Sequence, residues 1–183
     1  MNHEEEQRLI RRVLGGDAEA FAPLVECYGR PIFSLVYGIV GRREESEELT
    51  QDIFLKAYTR LVTYGGRSRF STWLYRIATN TAFSAARKKK HDTINIEDNA
   101  YGDIPDELLD EALDNDSEEQ LQRLSEAIDR LDAEERALIT LYHMNERPIE
   151  EVATIMGLTQ SNVKTKLYRT RKKLYLLLND RKL

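Results

Sequence analysis

The sequence predicts an all-α chain: two small helical domains joined by an acidic linker, the C-terminal one containing a helix-turn-helix. Three observations lead there. Apolar residues recur at three- and four-residue steps almost from end to end, and strand-like alternation is essentially absent. Charge is segregated into blocks along the chain. Residues 149–168 carry the small, glycine and apolar positions that two crossing helices need. A length of 183 residues accommodates one large domain or two small ones. With 41% hydrophobic and 32% charged residues, the profile is that of a soluble folded chain. No apolar run approaches the roughly 18 residues of a spanning helix, and the acidic start MNHEEEQ is not a signal peptide. The single cysteine, Cys27, excludes an internal disulfide and a Cys-based zinc site. A reducing, cytoplasmic compartment is expected.

Leu9, Ile10, Val13 and Leu14 form a first apolar stripe that stops at Gly15-Gly16. Asp17 suits an N-cap for a helix bearing Phe21, Leu24, Val25 and Tyr28, ended by Gly29. Pro31 fits the first turn of the next helix, with Ile32, Leu35, Val36 and Ile39, closed by Gly41. A third helix is expected from about Ser46 to Val62, with Leu49, Ile53, Ala57 and Leu61 at four-residue steps. Tyr64-Gly65-Gly66 makes a loop. A fourth helix starts near Ser71, carries Trp73, Leu74, Ile77, Ala78 and Ala85, and ends in Arg87-Lys88-Lys89-Lys90. Cys27, at helical spacing, is expected to be buried.

The net charge of −5 conceals the distribution behind it. Residues 1–90 hold 15 basic and 11 acidic side chains; 91–122 hold 12 acidic and no basic ones; 123–183 hold 12 basic and nine acidic ones. Two mildly basic blocks flank an acidic strap, which favours nucleic-acid contact. The division expected is therefore 1–90, a tether at 91–117, and 118–183. Ser117-Glu118-Glu119-Gln120 reads as a capping box opening a helix with Leu121, Leu124, Ile128 and Leu131. Asp132, with Glu135 three residues on, caps another bearing Leu138 and Leu141.

The run IEEVATIMGLTQSNVKTKLY is the strongest local motif. Ala153 is the small residue that lets a second helix cross closely. Gly157 stands where the turn needs a left-handed backbone, and Val163 faces back toward the first helix. Thr159 is an N-cap for the second helix. From Val152 to Asn179 there is no acidic residue, while Lys164, Lys166, Arg169, Arg171, Lys172 and Lys173 all fall there. Such a helix is attracted by phosphates and offers groups that read base edges in the major groove. A second acid-free stretch, Ile53 to Lys90, holds nine Lys and Arg interleaved with Tyr58, Tyr64, Phe70, Trp73, Tyr75 and Phe83. Basic groups with aromatics suit a single strand, whose unstacked bases need a flat partner. Trp73 lies on the helix's apolar stripe and is expected to be in the core.

ESEELTQDIFLKAYTRL (46–62) followed by FSTWLYRIATNTAFSAARKKK (70–90) resembles the second conserved domain of bacterial RNA polymerase sigma factors. Residues 118–177, with the R-x-x-I-x-L run from Arg136 to Leu141, resemble the fourth. No third domain fits between them, which is the pattern of the extracytoplasmic-function (ECF) group. The resemblance implies a transcription initiation factor with no active site and no cofactor. Its implied partners are core RNA polymerase, promoter DNA and an anti-sigma factor. It implies polymerase contact through Glu47, Glu48, Leu49, Gln51, Asp52 and Phe54, although acids at a helix start are also favoured by the helix dipole. It implies −10 contact through Tyr64 for stacking, Ser71, Thr72 and Asn80 for base edges, and Trp73. Arg67, Arg69, Arg76, Arg87, Lys88 and Lys89 would hold phosphates. For the −35 duplex it implies Gln160, Ser161, Asn162, Lys164, Thr165, Lys166, Tyr168, Arg169 and Arg171.

Those two elements lie roughly 65–70 Å apart. A flexible tether of this length averages about 30 Å end to end and reaches about 95 Å fully stretched, so a partner must hold it extended. Thr159-Gln160-Ser161-Asn162 is more polar than the family's usual proline-glycine run, and Ser84, Ala85 and Ala86 replace larger residues. The promoter sequence therefore does not carry over. His3, His91 and His143 have no ligand spacing, and no metal is assigned. The competing reading is a dimeric helix-turn-helix repressor or activator on duplex operators, which leaves the Tyr64–Lys90 run unexplained. An enzyme is disfavoured because no nucleophile or His–carboxylate pair is visible.

Overall fold

Helix caps set the register of this fold. The structure, a computed structural model, describes residues 1–88 and 118–179. Among them are eight α-helices and no strand: α1 (His3–Leu14), α2 (Ala22–Val40), α3 (Arg43–Thr59), α4 (Phe70–Lys88), α5 (Glu118–Asp129), α6 (Ala133–Ile139), α7 (Ile149–Met156) and α8 (Gln160–Asn179). The acidic strap and the Ser117 end of its expected capping box lie outside the described residues.

Asn2 accepts a hydrogen bond from the Glu5 amide at 2.8 Å and starts α1. Asp17 caps a single 3-10 turn, Ala18–Phe21, rather than a full helix, and pairs with Arg12 at 2.6 Å. Asp132 and Glu135 form the reciprocal capping box: the Glu135 amide donates to Asp132 at 2.8 Å, and the Asp132 amide to Glu135 at 2.9 Å. Each such cap satisfies amides that the first helical turn leaves unpaired.

Two expectations are corrected. Gly29 and Pro31 do not divide the chain; both sit inside one helix, α2. Pro31 removes one backbone hydrogen bond, but Leu24, Ile32, Leu35, Val36 and Ile39 are fully buried along the same helix. Burial on that scale outweighs one lost bond. Cys27 is exposed, because it falls off the line through Leu24, Tyr28, Ile32 and Leu35.

The helix-turn-helix forms as expected. Gly157 adopts the left-handed conformation at φ 70°, Ala153 and Val163 are buried, and the Asn162 amide donates to the Thr159 hydroxyl at 3.2 Å. Within this half, α6 continues as a π turn, Thr140–Met144, before the chain reaches α7.

The two halves share one contiguous core, which runs from Leu9 to Leu174. Helix α2 packs on α3 and α4 and also on α6 and the π turn; α4 also packs on α7. At Gly38 the approach is so close that a Cβ would sit 2.6 Å from Thr140 Oγ1. Buried Arg136 donates from Nη1 to the carbonyls of Leu131 (2.8 Å) and Asp129 (3.2 Å), and from Nη2 across the seam to that of Ile39 (2.8 Å). The Arg147 guanidinium lies 4.8 Å from the Tyr75 ring centroid. Glu151 of α7 meets Arg147 at 3.4 Å and Arg69 at 3.9 Å.

Replacing Gly157 with Ala forces a Cβ into the left-handed region, and urea unfolding is expected to show a loss of about 1 kcal/mol.

Candidate nucleic-acid interface

Helix α8 sorts its basic residues into two sets. Val163, Leu167, Thr170 and Leu174 face the core. Beside them, Lys166 pairs with Glu134 at 3.2 Å and Lys173 with Glu135 at 2.8 Å, so both tie α8 to the start of α6. Lys166, expected on DNA, is thus turned toward α6, and Arg171 is half-buried. The outward face is left to Gln160, Ser161, Asn162, Lys164, Thr165 and Arg169, all exposed. Tyr168 is half-buried, with the Lys172 ammonium 5.9 Å from its ring centroid. The opening turns of α8 thus project neutral hydrogen-bonding groups and a lysine, a surface suited to the edges and phosphates of a major groove.

In the N-terminal half the aromatic residues form a cluster instead of a row of open platforms. Tyr64, expected to stack on an extruded base, is 6% exposed. Its ring stands edge-on to Phe70 at 5.7 Å and tilted to Trp73 at 5.5 Å. The Tyr64 hydroxyl donates to the Ser68 carbonyl at 2.6 Å and accepts from Gln7 at 3.2 Å. Burial raises its pKa. Tyr28, against Phe70, donates to the buried Glu6 carboxylate of α1. Helix α1 therefore closes over this cluster, and Tyr64 acts as a post that shapes the loop Gly65–Arg69. Its burial could not be read from composition, because it depends on α1 folding back.

Ser71 and Thr72 are also buried, each 5% exposed, and in this arrangement do not present base-reading groups. Trp73 is half-buried, whereas Arg67, Arg69, Arg76, Asn80 and Arg87 are exposed. The last three lie along one side of α4 at helical spacing. The Lys88 side chain and Lys89 lie outside the described residues.

On α3, Glu47, Glu48, Gln51 and Asp52 are exposed, with Glu47 accepting from Arg43 at 3.0 Å, and Leu49 is half-buried. Phe54 points inward at 7% exposure and is not part of that face. Leu55, at 62%, and Val62, at 77%, are the most exposed large apolar residues of this stretch, ahead of Tyr58 at 39%. The sequence held a signal for them: both fall off the inward line Leu49, Ile53, Ala57, Leu61.

Residues 24–91 match the model of Sigma-70 region 2, and 121–174 that of Sigma-70 region 4. The ECF RNA polymerase sigma factor SigW of Bacillus subtilis is 30% identical over 188 residues, covering 95% of this chain and 97% of that protein. The chain belongs to the ECF sigma factors. It is therefore a transcription initiation factor that directs RNA polymerase to promoters. Its fold is shared with CnrH, solved in complex with the cytosolic domain of CnrY (TM-score 0.69, 22% identity, 96% of this chain and 97% of that one). It is shared too with the sigma factor RpoE, solved with the anti-sigma factor NepR from Bartonella quintana (TM-score 0.65, 21% identity, 88% and 98%). Among the described residues of this sigma factor, no helix is long and apolar enough to cross a membrane.

Tyr64→Phe keeps the ring in its cluster and removes the bond to the Ser68 carbonyl. With one hydrogen bond worth about 1 kcal/mol, amide exchange in residues 65–69 is expected to quicken about fivefold. Unchanged exchange would mean the hydroxyl does not hold the loop.

Proposed function

We propose a division of labour between the two halves. The first module, 1–90, docks on core polymerase through the exposed acids of α3, joined by the apolar Leu55 and Val62. A cluster of acids with exposed apolar side chains suits a basic-apolar partner surface. The same module grips the opened −10 strand with Arg67, Arg69, Arg76, Asn80 and Arg87, around a loop held by Tyr64. The second module, 118–183, lays α8 in the major groove at −35, with Gln160, Ser161, Asn162, Lys164, Thr165 and Arg169 toward DNA. An anti-sigma factor is the expected regulator, by extension from the NepR complex of a protein with this fold. A cytoplasmic location goes with that role.

One observation carries this reading. Lys166 and Lys173 of α8 are paired with Glu134 and Glu135 of α6, while the opening turns of α8 expose Gln160, Ser161, Asn162, Lys164 and Thr165 away from that pairing. Transcription in vitro with core polymerase on a library of genomic fragments tests it, because activity and promoter sequence emerge together. No stimulation of core polymerase by the purified chain would end the reading.

Lys164→Ala is expected to weaken holoenzyme binding to all promoters alike and to reduce the slope of log affinity against log salt by about one. Arg169→Ala is expected to cost about 1–3 kcal/mol on a cognate promoter and to relax the choice at one base pair. Polymerase affinity, measured by titration, stays unchanged in both.

A further inference from the structure

We propose that Gln7 of α1 is a positioning residue for −10 recognition: its side-chain amide directs the single proton of the Tyr64 hydroxyl onto the Ser68 carbonyl and so fixes the loop that carries Arg67 and Arg69. The part played in −10 recognition rests on the proposed function; the hold on the loop does not.

The loop is an exposed arch on two buried feet. Residues 65–69 are all exposed, whereas Tyr64 and Phe70 on either side are buried, with ring centroids 5.7 Å apart. Gly65 and Gly66 both take left-handed backbone, at φ 61° and 68°, a region that glycine enters at no steric cost and leaves as readily. Among the described residues, no amide or carbonyl of residues 65–68 bonds to another backbone group. The bond from Tyr64 Oη to the Ser68 carbonyl, at 2.6 Å, is what ties the arch to its foot.

A phenolic hydroxyl has one proton to give and lone pairs with which to receive. Because a carbonyl can only accept, the Tyr64 proton is committed to Ser68, and any other group that meets this oxygen must donate. Gln7 supplies that donor from Nε2, at 3.2 Å. The two bonds form a chain in which each strengthens the other. Burial raises the Tyr64 pKa, so the proton stays on the hydroxyl.

Position 7 is held in place by its neighbours. Leu9, Ile10 and Val13 seat α1 in the core, and the buried Glu6 carboxylate accepts from Tyr28. Residues 1–23 precede the stretch that matches Sigma-70 region 2, so α1 reaches the loop from outside that region. What position 7 must provide is polarity rather than bulk. A lysine there still donates; a glutamate can only accept. Glutamate is close to glutamine in shape, but it draws the Tyr64 proton to itself by a charge-assisted bond, the stronger kind. The Ser68 carbonyl then loses its donor.

The test measures amide exchange in the free chain and −10 choice in the holoenzyme. Gln7→Glu is expected to quicken exchange in residues 65–69 about fivefold, the loss of one hydrogen bond, and Gln7→Lys to leave it unchanged. Gln7→Met, which removes the donor without adding a charge, should fall between them. In a Tyr64→Phe background neither charged substitution changes the loop further, because no proton is left to direct. On pre-melted templates carrying each base in turn across the −10 element, the Gln7→Glu holoenzyme should lose about fivefold of its preference at the position the loop contacts. Binding to a −35 duplex and affinity for core polymerase stay unchanged. Equal loop exchange in Gln7→Glu and Gln7→Lys, or a Gln7→Glu effect that persists with Tyr64→Phe, overturns the proposal. A loosened loop with −10 preference intact overturns it too. If Gln7→Glu also loses protection across α2 and α4, Gln7→Met takes its place against Gln7→Lys, and equal exchange in that pair has the same consequence. A wild-type chain that never engages polymerase ends the functional reading and with it the −10 role. The exchange measurement needs neither polymerase nor DNA and reports the hold on the loop separately.

Discussion

Helix α2 has more apolar surface than one neighbour can cover, and the rest of the protein is arranged around that fact. Leu24, Ile32, Leu35, Val36, Ile39 and Val40 do not fall on one narrow stripe but spread over nearly half of the helix circumference, which takes more than one neighbour to cover. Helices α3 and α4 cover one part of it; α6 and the π turn cover another. The chain therefore has one contiguous core, although its two conserved regions are separated by nearly thirty residues of sequence. Burial of α2 also explains why Pro31 is tolerated inside it.

Charge then decides which groups on the surface remain available. Glu134 and Glu135 open α6, where acids suit a helix N-terminus, and from there they reach Lys166 and Lys173. Those two lysines orient α8 against its own module. The opening turns of α8, with Gln160, Ser161, Asn162, Lys164 and Thr165, lie away from that pairing and stay exposed. A helix described only as basic would have suggested a uniform attraction for phosphate; the pairing pattern divides it into an anchored side and a reading side.

The parts of the fold that were readable from sequence are those governed by neighbours in the chain. Asp132 with Glu135, Thr159 with Asn162, and Ala153, Gly157 and Val163 act within a few residues of one another, and spacing suffices to place them. The exceptions depend on distant partners. Gly29 and Pro31 carried a strong local stop signal that burial of α2 overrode. Tyr64 looked available because one of the groups that hold it, Gln7, lies on α1, 57 positions away. Phe54 sits beside the exposed acids in sequence but one helical step round from them in space. Glycine at position 38 had no local reason at all; its reason is Thr140, in the other half of the chain.

Arg136 shows how one motif residue can serve both the module and the seam. Two of its three hydrogen bonds go to the carbonyls of Asp129 and Leu131, which the end of α5 leaves without helical partners. Only the third reaches across to Ile39. Two bonds therefore hold the guanidinium at the α5–α6 corner, and one ties that corner to the end of α2. A carboxylate in place of the Ile39 carbonyl would have added the cost of taking a second ion out of water. A neutral backbone acceptor gives the joint a defined geometry with only one charge to desolvate.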